Sequence, residues 1–250
     1  FINCISKAEL ILVHSISDLN RLKSLQLIKN VTLFPHSFAS NPYEIKSRRI
    51  NKIKRYLRFK FKQKFRVASS GFCLPNKGFK ELIYAVRELL KVGIPITLTL
   101  HTPTYNGYEW YFEELKNLIS DLDLSNSILI NDLYLEKTFL LKSLSKFDLL
   151  VYPYQESNES SSASVREGLA SGAPVAISPS TIFEDLSNIP LLLPGSTKDL
   201  ISKALEDFYL NNTLEDLWYE NRKQRQLNSY IGSQLLSNVS SRLYNIVKSV

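Results

Sequence analysis

The chain of 250 residues contains no methionine and only two cysteines, Cys4 and Cys73. Neither cysteine belongs to a Cys-x-x-Cys pair, which excludes a disulfide-rich scaffold and indicates two reduced thiols. No apolar run approaches the roughly 18 to 20 residues of a membrane-spanning helix. Apolar residues make up 44% and charged residues 22% of the chain. This composition is that of a globular protein and excludes collagen-like and disordered classes.

The length suits one large domain or two small ones, at roughly 150 residues per domain. The chain begins with Phe1 and enters directly into an apolar periodic pattern. From this start we expect a piece of a longer protein, with residues 1–40 closing an N-terminal domain, a linker at 41–64 and a C-terminal domain at 65–250.

The net charge of +7 is concentrated in one segment. Lys46–Arg66 contains eleven Lys and Arg, whereas all 24 Asp and Glu lie outside it. Its apolar residues recur at helical spacing, and a basic amphipathic stretch of this kind can lie on an anionic membrane surface. A solvated linker helix whose apolar face packs on its own domain is the alternative interpretation. Because no nucleic-acid module accompanies the charge, we expect no nucleic acid as a partner.

Short apolar runs alternate with amphipathic segments along most of the chain. This alternation predicts an α/β fold with a parallel sheet covered by helices on both faces. The predicted strands are 9–13, 31–34, 65–70, 94–100, 128–130, 148–152, 174–177 and 190–193. One predicted helix begins at Ser17–Asp18. The other predicted helices cover about 79–92, 108–122, 136–145, 164–170, 197–210, 214–226 and 234–247.

Two glutamates follow the most apolar strand, at the position where open α/β sheets bind ligands. Glu159 lies in the loop and Glu167 in the first turns of the next helix, with small residues between them. The N-terminus of a helix favours phosphate because its backbone N–H groups lack partners. Glu167 can accept hydrogen bonds from both hydroxyls of a ribose. Two surface acids at a helix start are the alternative interpretation.

A second loop, from Gly71 to Gly78, joins another strand to a helix and carries Lys77. This lysine can neutralise a diphosphate, and a surface lysine in a turn is the alternative interpretation. Since the carboxyl ends of parallel strands meet at one edge, the two loops are expected to converge.

These residues resemble the C-terminal part of family 4 glycosyltransferases of the GT-B fold. Glu159, Glu167, Gly172, Pro174 and Val175 match the family's E-x7-E and Gly-x-Pro-Val pattern, and Gly71, Lys77 and Gly78 match its glycine–lysine loop. The segments Leu12–Ser15 and Val31–His36 resemble the last strands of the family's N-terminal domain. The resemblance implies a GT-B type, Rossmann-like sheet whose C-terminal helices cross back toward the N-terminal domain.

The resemblance also implies a reaction, namely transfer of a sugar from a nucleotide-diphosphate sugar to an acceptor hydroxyl with retention, without a metal or other cofactor. Lys77 and Glu159 would be catalytic. Glu167, Gly71, Arg166 and Ser161–Ser164 (including Ser162 and Ala163) would bind the donor. We further expect a glycan or lipid-linked acceptor and a role in cell-surface glycan or glycolipid synthesis. The expected location is cytoplasmic, peripheral to the membrane through Lys46–Arg66. Without the upstream domain, residues 1–250 are expected to be inactive alone.

Two departures from the family pattern keep a non-catalytic binding domain open as an alternative. Phe72 stands where the family usually has arginine, and Ser162 and Ala163 replace the usual glycine of the phosphate loop. Loss of a cation weakens stabilisation of the leaving group, and Arg166 could substitute for it. A basic membrane- or nucleic-acid-binding module is the third hypothesis. His14, His36 and His101 each lack a metal-binding partner at suitable spacing.

Overall fold

The structure is a computed structural model that describes residues 5–27, 30–38, 45–156, 159–186, 189–211 and 226–249. Near its start, strand β1 (Ile11–Val13) pairs in parallel with β2 (Val31–Leu33), and helix α1 (Ile16–Ser24) connects them. Ser15 caps this helix, two residues before the predicted start. Its Oγ accepts a bond from the Asp18 amide at 3.0 Å and donates to the Asp18 carboxylate at 2.8 Å, which satisfies an otherwise free helix donor.

A six-stranded parallel sheet forms the main body, with the strand order β5-β4-β3-β6-β7-β8. Its strands are β3 (Phe65–Ser70), β4 (Ile96–His101), β5 (Ile128–Asn131), β6 (Leu149–Tyr152), β7 (Val175–Ile177) and β8 (Leu191–Leu192). All six run in one direction, so the loops after them meet at a single edge. The α/β architecture predicted from the alternating pattern is confirmed.

The helices are α2 (Ile45–Lys60), α3 (Phe79–Lys91), α4 (Glu109–Asp121), α5 (Lys137–Leu144), α6 (Ala163–Ser171), α7 (Lys198–Leu210) and α8 (Leu236–Ser249). Short 3-10 turns occupy Pro75–Lys77 and Thr181–Leu186, and residues 226–233 are also helical. The predicted helix at 214–226 falls almost wholly outside the described residues.

Two hydrophobic clusters cover the two faces of the sheet. On β6, Leu149 and Val151 belong to one cluster, while Leu150 and Tyr152 belong to the other. Side chains alternate between faces along a strand, so helices must cover both faces of this buried sheet. Helices α3, α4 and α7 cover the first face. The second face is covered by α5, α6, the 3-10 turn at Thr181–Leu186 and residues 226–233.

The basic segment is helical as far as Lys60, where α2 ends, and it packs on the main body. Phe59 is buried, with its ring 5.4 Å from that of Phe65. Arg58 donates from Nε to Asp148 at 3.1 Å, and the Asp148 side chain has no exposed surface. The interpretation as a helix packed on its own domain is therefore confirmed for this face. The domain boundaries at 41 and 64 stay a prediction.

The N-terminal piece contacts the C-terminal end of the chain. The Phe38 amide donates to Gln234 O at 2.8 Å, and the Leu236 amide donates to Phe38 O at 3.2 Å. Ser17 Oγ donates to the Glu184 carboxylate at 2.6 Å. The expected return of the last helices toward residues 1–40 is thus present. None of the described helices is long and apolar enough to cross a bilayer.

Candidate functional site

Helix α6 begins at the carboxyl edge of the sheet, beside the predicted phosphate loop. Ser162 is its N-cap, and the Ser162 Oγ accepts a hydrogen bond from the Val165 amide at 3.4 Å. The same Oγ lies 3.1 Å from the hydroxyl oxygen of Tyr154. Ser162 is thus held on the protein side, while Ala163 and Ser164 line a pocket. The loss of glycine at 162 and 163 leaves the helix start intact.

The Gly71 loop and the start of α6 converge, as predicted from their positions after parallel strands. Gly71 has φ +128°, a region that side-chain-bearing residues rarely adopt. A Cβ at this position would lie 2.8 Å from Ser164 Oγ. Glycine is therefore required here both for the backbone conformation and for the close approach to α6.

The two residues predicted to be catalytic form an ion pair. Lys77 Nζ lies 3.0 Å from Glu159 Oε2 and 3.3 Å from Oε1. The ammonium also stands 4.2 Å from the ring centroid of Tyr154, a cation–π contact. Asn76 Nδ2 donates to the same Glu159 carboxylate at 3.0 Å. The Lys77 side chain is 8% exposed and that of Glu159 is 42% exposed, so the pair forms at the boundary between protein and solvent.

A pocket of about 230 Å³ opens between these loops and α5. Its lining is mainly apolar, with Glu167 on one wall. The lining residues are Gly71, Phe72, His101, Pro103, Leu133, Tyr134, Leu135, Lys137, Leu140, Ala163, Ser164 and Glu167. Small-molecule sites usually combine an apolar lining with a few polar groups of this kind.

Glu167 is the acidic group of this pocket. Burial raises the pKa of its carboxyl above the ordinary glutamate value, and Lys137 opposes the shift. Lys137 Nζ lies 3.9 Å from Glu167 Oε1. A partly buried carboxylate with one distant cation retains the capacity to accept hydrogen bonds from a ligand.

Sequence reasoning missed several members of the pocket. His101 ends β4, and its ring Nε2 lies 3.1 Å from Ser143 Oγ while Nδ1 lies 3.4 Å from Asn131 Nδ2. Burial lowers the pKa of His101. The segment from Leu133 to Lys137 follows β5. Its place in the pocket could have been predicted only from the rule that ligands bind beyond the carboxyl ends of the strands.

An aromatic row extends from the pocket over the surface. The Phe72 ring lies 5.2 Å from Tyr105, Tyr105 lies 6.1 Å from Tyr108, and Tyr108 lies 6.3 Å from Trp110. All four are exposed. Phe72 therefore brings an aromatic ring to the wall where the family pattern has a cation.

Arg166 lies away from the pocket and belongs to a buried network. Its side chain is 2% exposed, and Nη2 pairs with Asp185. Nε donates to His36 O at 3.2 Å, and Nη1 donates to Ser161 Oγ at 2.7 Å and to Ser162 O at 3.0 Å. The guanidinium thus connects α6 to the N-terminal piece, and binding of a ligand by Arg166 or Ser161 stays a prediction.

A second, polar pocket of about 640 Å³ has Tyr154 in its lining. It is lined by Tyr154, Gln155, Glu156, Ser178, Pro179, Ser180, Thr181 and Ser196, from the loops after β6, β7 and β8. Among the described residues, no three His, Cys, Asp or Glu side chains gather as a set of metal ligands.

Comparisons with known proteins find similarity in structure but not in sequence. No family model matches the chain, and no curated protein matches it. Among solved structures, the chain is similar to HepE of Anabaena in complex with UDP-glucose, with a TM-score of 0.74 and 16% identity over 99% of this chain. It is also similar to a UDP-forming α,α-trehalose-phosphate synthase of Burkholderia xenovorans in complex with glucose-6-phosphate, with a TM-score of 0.76 and 10% identity over 98%.

A third similar structure is sucrose-phosphate synthase of Thermosynechococcus elongatus, with a TM-score of 0.75 and 14% identity over 98% of this chain. The chain spans 66%, 62% and 59% of the lengths of these three proteins, respectively. At such low identity the likeness concerns the fold, and it confirms the predicted GT-B type architecture.

Proposed function

We propose that this chain is the donor-binding part of a retaining glycosyltransferase that uses a nucleotide-diphosphate sugar. The observation that carries the proposal is the convergence of the Gly71 loop and the α6 N-terminus on one pocket, with Glu167 on its wall. Membership of family 4 belongs to the same proposal and rests on the E-x7-E pattern. The similar structures support the proposal because their names describe UDP-sugar chemistry.

In this proposal the nucleoside occupies the 230 Å³ pocket. Leu133, Leu135 and Leu140 provide its apolar lining, and Glu167 accepts the ribose hydroxyls. The diphosphate lies over the start of α6, where free backbone N–H groups and the helix dipole favour an anion. The pocket is small, as a single nucleoside requires.

Lys77 would place its charge beside the diphosphate, since it lies in the Gly71 loop and contacts Tyr154, which in turn contacts Ser162. Glu159 would contact the transferred sugar, which we place toward the polar pocket beyond Tyr154. A cation held at the leaving diphosphate stabilises the charge that develops as the glycosidic bond breaks. We propose that this lysine serves without a metal, and that the acceptor is a glycan or a lipid-linked sugar of the cell surface.

The test compares two glutamate variants in calorimetric titrations with nucleoside diphosphates. Each charge-assisted hydrogen bond contributes about 1.5 to 3 kcal/mol, so loss of both ribose bonds in Glu167→Ala should weaken binding roughly 150-fold or more. Glu159→Ala should bind the bare nucleoside diphosphate normally and the nucleotide sugar weakly. Glu113→Ala, which removes an exposed carboxylate on α4, is the matched control. Equal affinity of all three variants for the nucleoside diphosphate would refute the proposal.

A nucleotide-sugar-binding domain without transferase activity is the second candidate. Phe72 replaces a cation at the pocket, and Arg166, the nearest substitute in the sequence, is paired with Asp185. In that case the chain would bind the donor with the same residues but would not release nucleoside diphosphate in the presence of any acceptor. Turnover measured on the full-length protein separates the two candidates.

A further inference from the structure

Helix α2 has two different faces. Successive residues of a helix are separated by about 100°, so Arg55 and Phe59 share one face and Ile53 and Leu57 share the opposite one. Arg55 and Phe59 are buried against the main body. Ile53 is 58% exposed and Leu57 is 42% exposed. A linker helix that only packed on its own domain would not need this second apolar face.

Phe61 extends the exposed row by one more turn. It follows the last residue of α2, its amide donates to Leu57 O at 3.0 Å, and its side chain is 65% exposed. Ile53, Leu57 and Phe61, spaced four residues apart, form a continuous apolar row on the surface. We call these three residues the apolar row of α2.

Lysines border the apolar row. Lys54 and Lys60 flank it around the helix, and Lys62 and Lys64 follow it, all of them exposed. Lys46–Arg66 contains no Asp or Glu, so no carboxylate within the segment neutralises this border. An apolar row bordered by lysines fits the boundary between headgroups and acyl chains of an anionic bilayer, where long lysine side chains reach back to the headgroups.

The helix is held firmly enough to present this face. Asp148 accepts from Arg58 Nε at 3.1 Å, from Arg66 Nη2 at 3.3 Å and from the Arg66 amide at 2.9 Å. Arg55 Nη1 also donates to Asp148 O at 3.5 Å, so three of the segment's arginines are engaged with the domain. The four lysines of the border are exposed, so their positive charges lie at the surface.

The position of α2 separates this face from the proposed donor site. Asp148 directly precedes β6 and Phe65 begins β3, so α2 contacts the amino ends of these strands. The contacts of the N-terminal piece, from Ser17 to Glu184 and from His36 to Arg166, lie beyond the carboxyl ends. The N-terminal piece therefore contacts the edge of the sheet opposite to the one that α2 contacts.

We propose that the apolar row of α2 and its lysine border bind an anionic lipid surface. This interaction is independent of the donor pocket and does not rest on the proposed sugar transfer. The bilayer contact would hold the amino edge of the sheet against the membrane and leave the carboxyl edge, with its two pockets, open to solutes.

The experiment is co-sedimentation of residues 1–250 with vesicles of phosphatidylcholine containing 30% phosphatidylserine, compared with pure phosphatidylcholine. Leu57→Ser with Phe61→Ser should lower partitioning at least tenfold, because burial of a large apolar side chain is lost at each position. Lys54→Gln, Lys60→Gln and Lys62→Gln together should lower it roughly 100-fold, at about fivefold per lysine near the surface. Added salt should reverse binding of the unaltered chain.

Matched controls change the same residue types elsewhere. Val92→Ser with Leu129→Ser removes two exposed apolar side chains, and Lys91→Gln, Lys116→Gln and Lys203→Gln remove three exposed charges. Both controls should bind like the unaltered chain, and circular dichroism should show all variants folded. Equal loss in controls and α2 variants, equal binding to neutral vesicles, or binding to duplex DNA in place of vesicles would overturn the proposal. The proposal would also be overturned if the chain formed a dimer and if Leu57→Ser with Phe61→Ser dissociated that dimer without changing vesicle binding.

Discussion

Lys77 and Glu159 lie 82 positions apart in the chain and form an ion pair of 3.0 Å above the ring of Tyr154. The pair connects the loop after β3 to the loop after β6, two neighbouring strands of the sheet. It therefore brings the cation proposed to bind diphosphate within reach of the carboxylate proposed to contact the sugar. Each of the two groups partly neutralises the charge that the other presents to a ligand.

From this pairing we predict that Lys77→Gln weakens binding of a nucleoside diphosphate by roughly 10- to 100-fold, as expected for loss of one charge-assisted contact. Affinity for the uncharged nucleoside should change less than twofold. Titration calorimetry with both ligands measures the difference. Lys80→Gln, on the next turn and paired with Glu114, is the control and should leave both affinities unchanged. Equal weakening of nucleoside and diphosphate would contradict the role given to Lys77.

The raised pKa of Glu167 predicts a specific dependence of stability on pH. Because burial disfavours the ionised carboxyl in the folded chain, stability is lost as the pH rises from the unfolded pKa through the raised folded pKa. Glu167→Gln removes this penalty and should raise the melting temperature at pH 7. The difference should vanish below about pH 4, where the glutamate is protonated in both states.

Differential scanning calorimetry between about pH 3 and pH 8 measures this effect, with Glu113→Gln, at an exposed position of α4, as the control. The same Glu167→Gln variant should bind nucleoside diphosphates more weakly. A gain in stability together with a loss of binding identifies a group retained for its ligand. A melting temperature of Glu167→Gln equal to that of the unaltered chain across this range would contradict the prediction.

The buried pair of Arg166 and Asp185 predicts strongly non-additive stability. Burial raises the pKa of Asp185 even beside the guanidinium, so desolvation outweighs the attraction for this carboxyl. Replacing one partner, as in Arg166→Met, leaves a buried charge and should cost about 3 to 5 kcal/mol. The double variant Arg166→Met with Asp185→Leu should be less destabilised than either single variant. Urea denaturation of the four proteins provides the cycle, and additive losses would be inconsistent with a buried pair.

Phe72 offers a test for catalytic capacity in the full-length protein. Phe72→Arg restores a cation at the pocket wall, where it can stabilise a leaving diphosphate. A transferase weakened by the aromatic residue should gain at least tenfold in kcat, with little change in KM. Phe72→Leu keeps the position uncharged and serves as the control. A binding domain without activity would show tighter donor binding and still no turnover, measured as release of nucleoside diphosphate.

The sequence by itself determined the elements of this protein and the edge of the sheet that carries its candidate site. Helical and strand periodicity are local properties, so α3 with its buried face and β6 with its apolar run could be predicted from neighbouring residues. Glu159, Glu167 and Lys77 could be found because they lie in the loops that follow two strands or in the helix that begins after such a loop. The charge imbalance of Lys46–Arg66 was equally visible, and it allowed two interpretations of the same helix.

Only the tertiary structure decided which of these groups meet. The contacts of Lys77 with Glu159, and of Arg166 with Asp185 and His36, join positions 19 to 130 residues apart, and no local pattern encodes such distances. The sheet order places β3 beside β6, and this adjacency brings the Gly71 loop onto α6. The same packing buries Phe59 and leaves Leu57 exposed, because one face of α2 reaches the domain and the opposite face cannot.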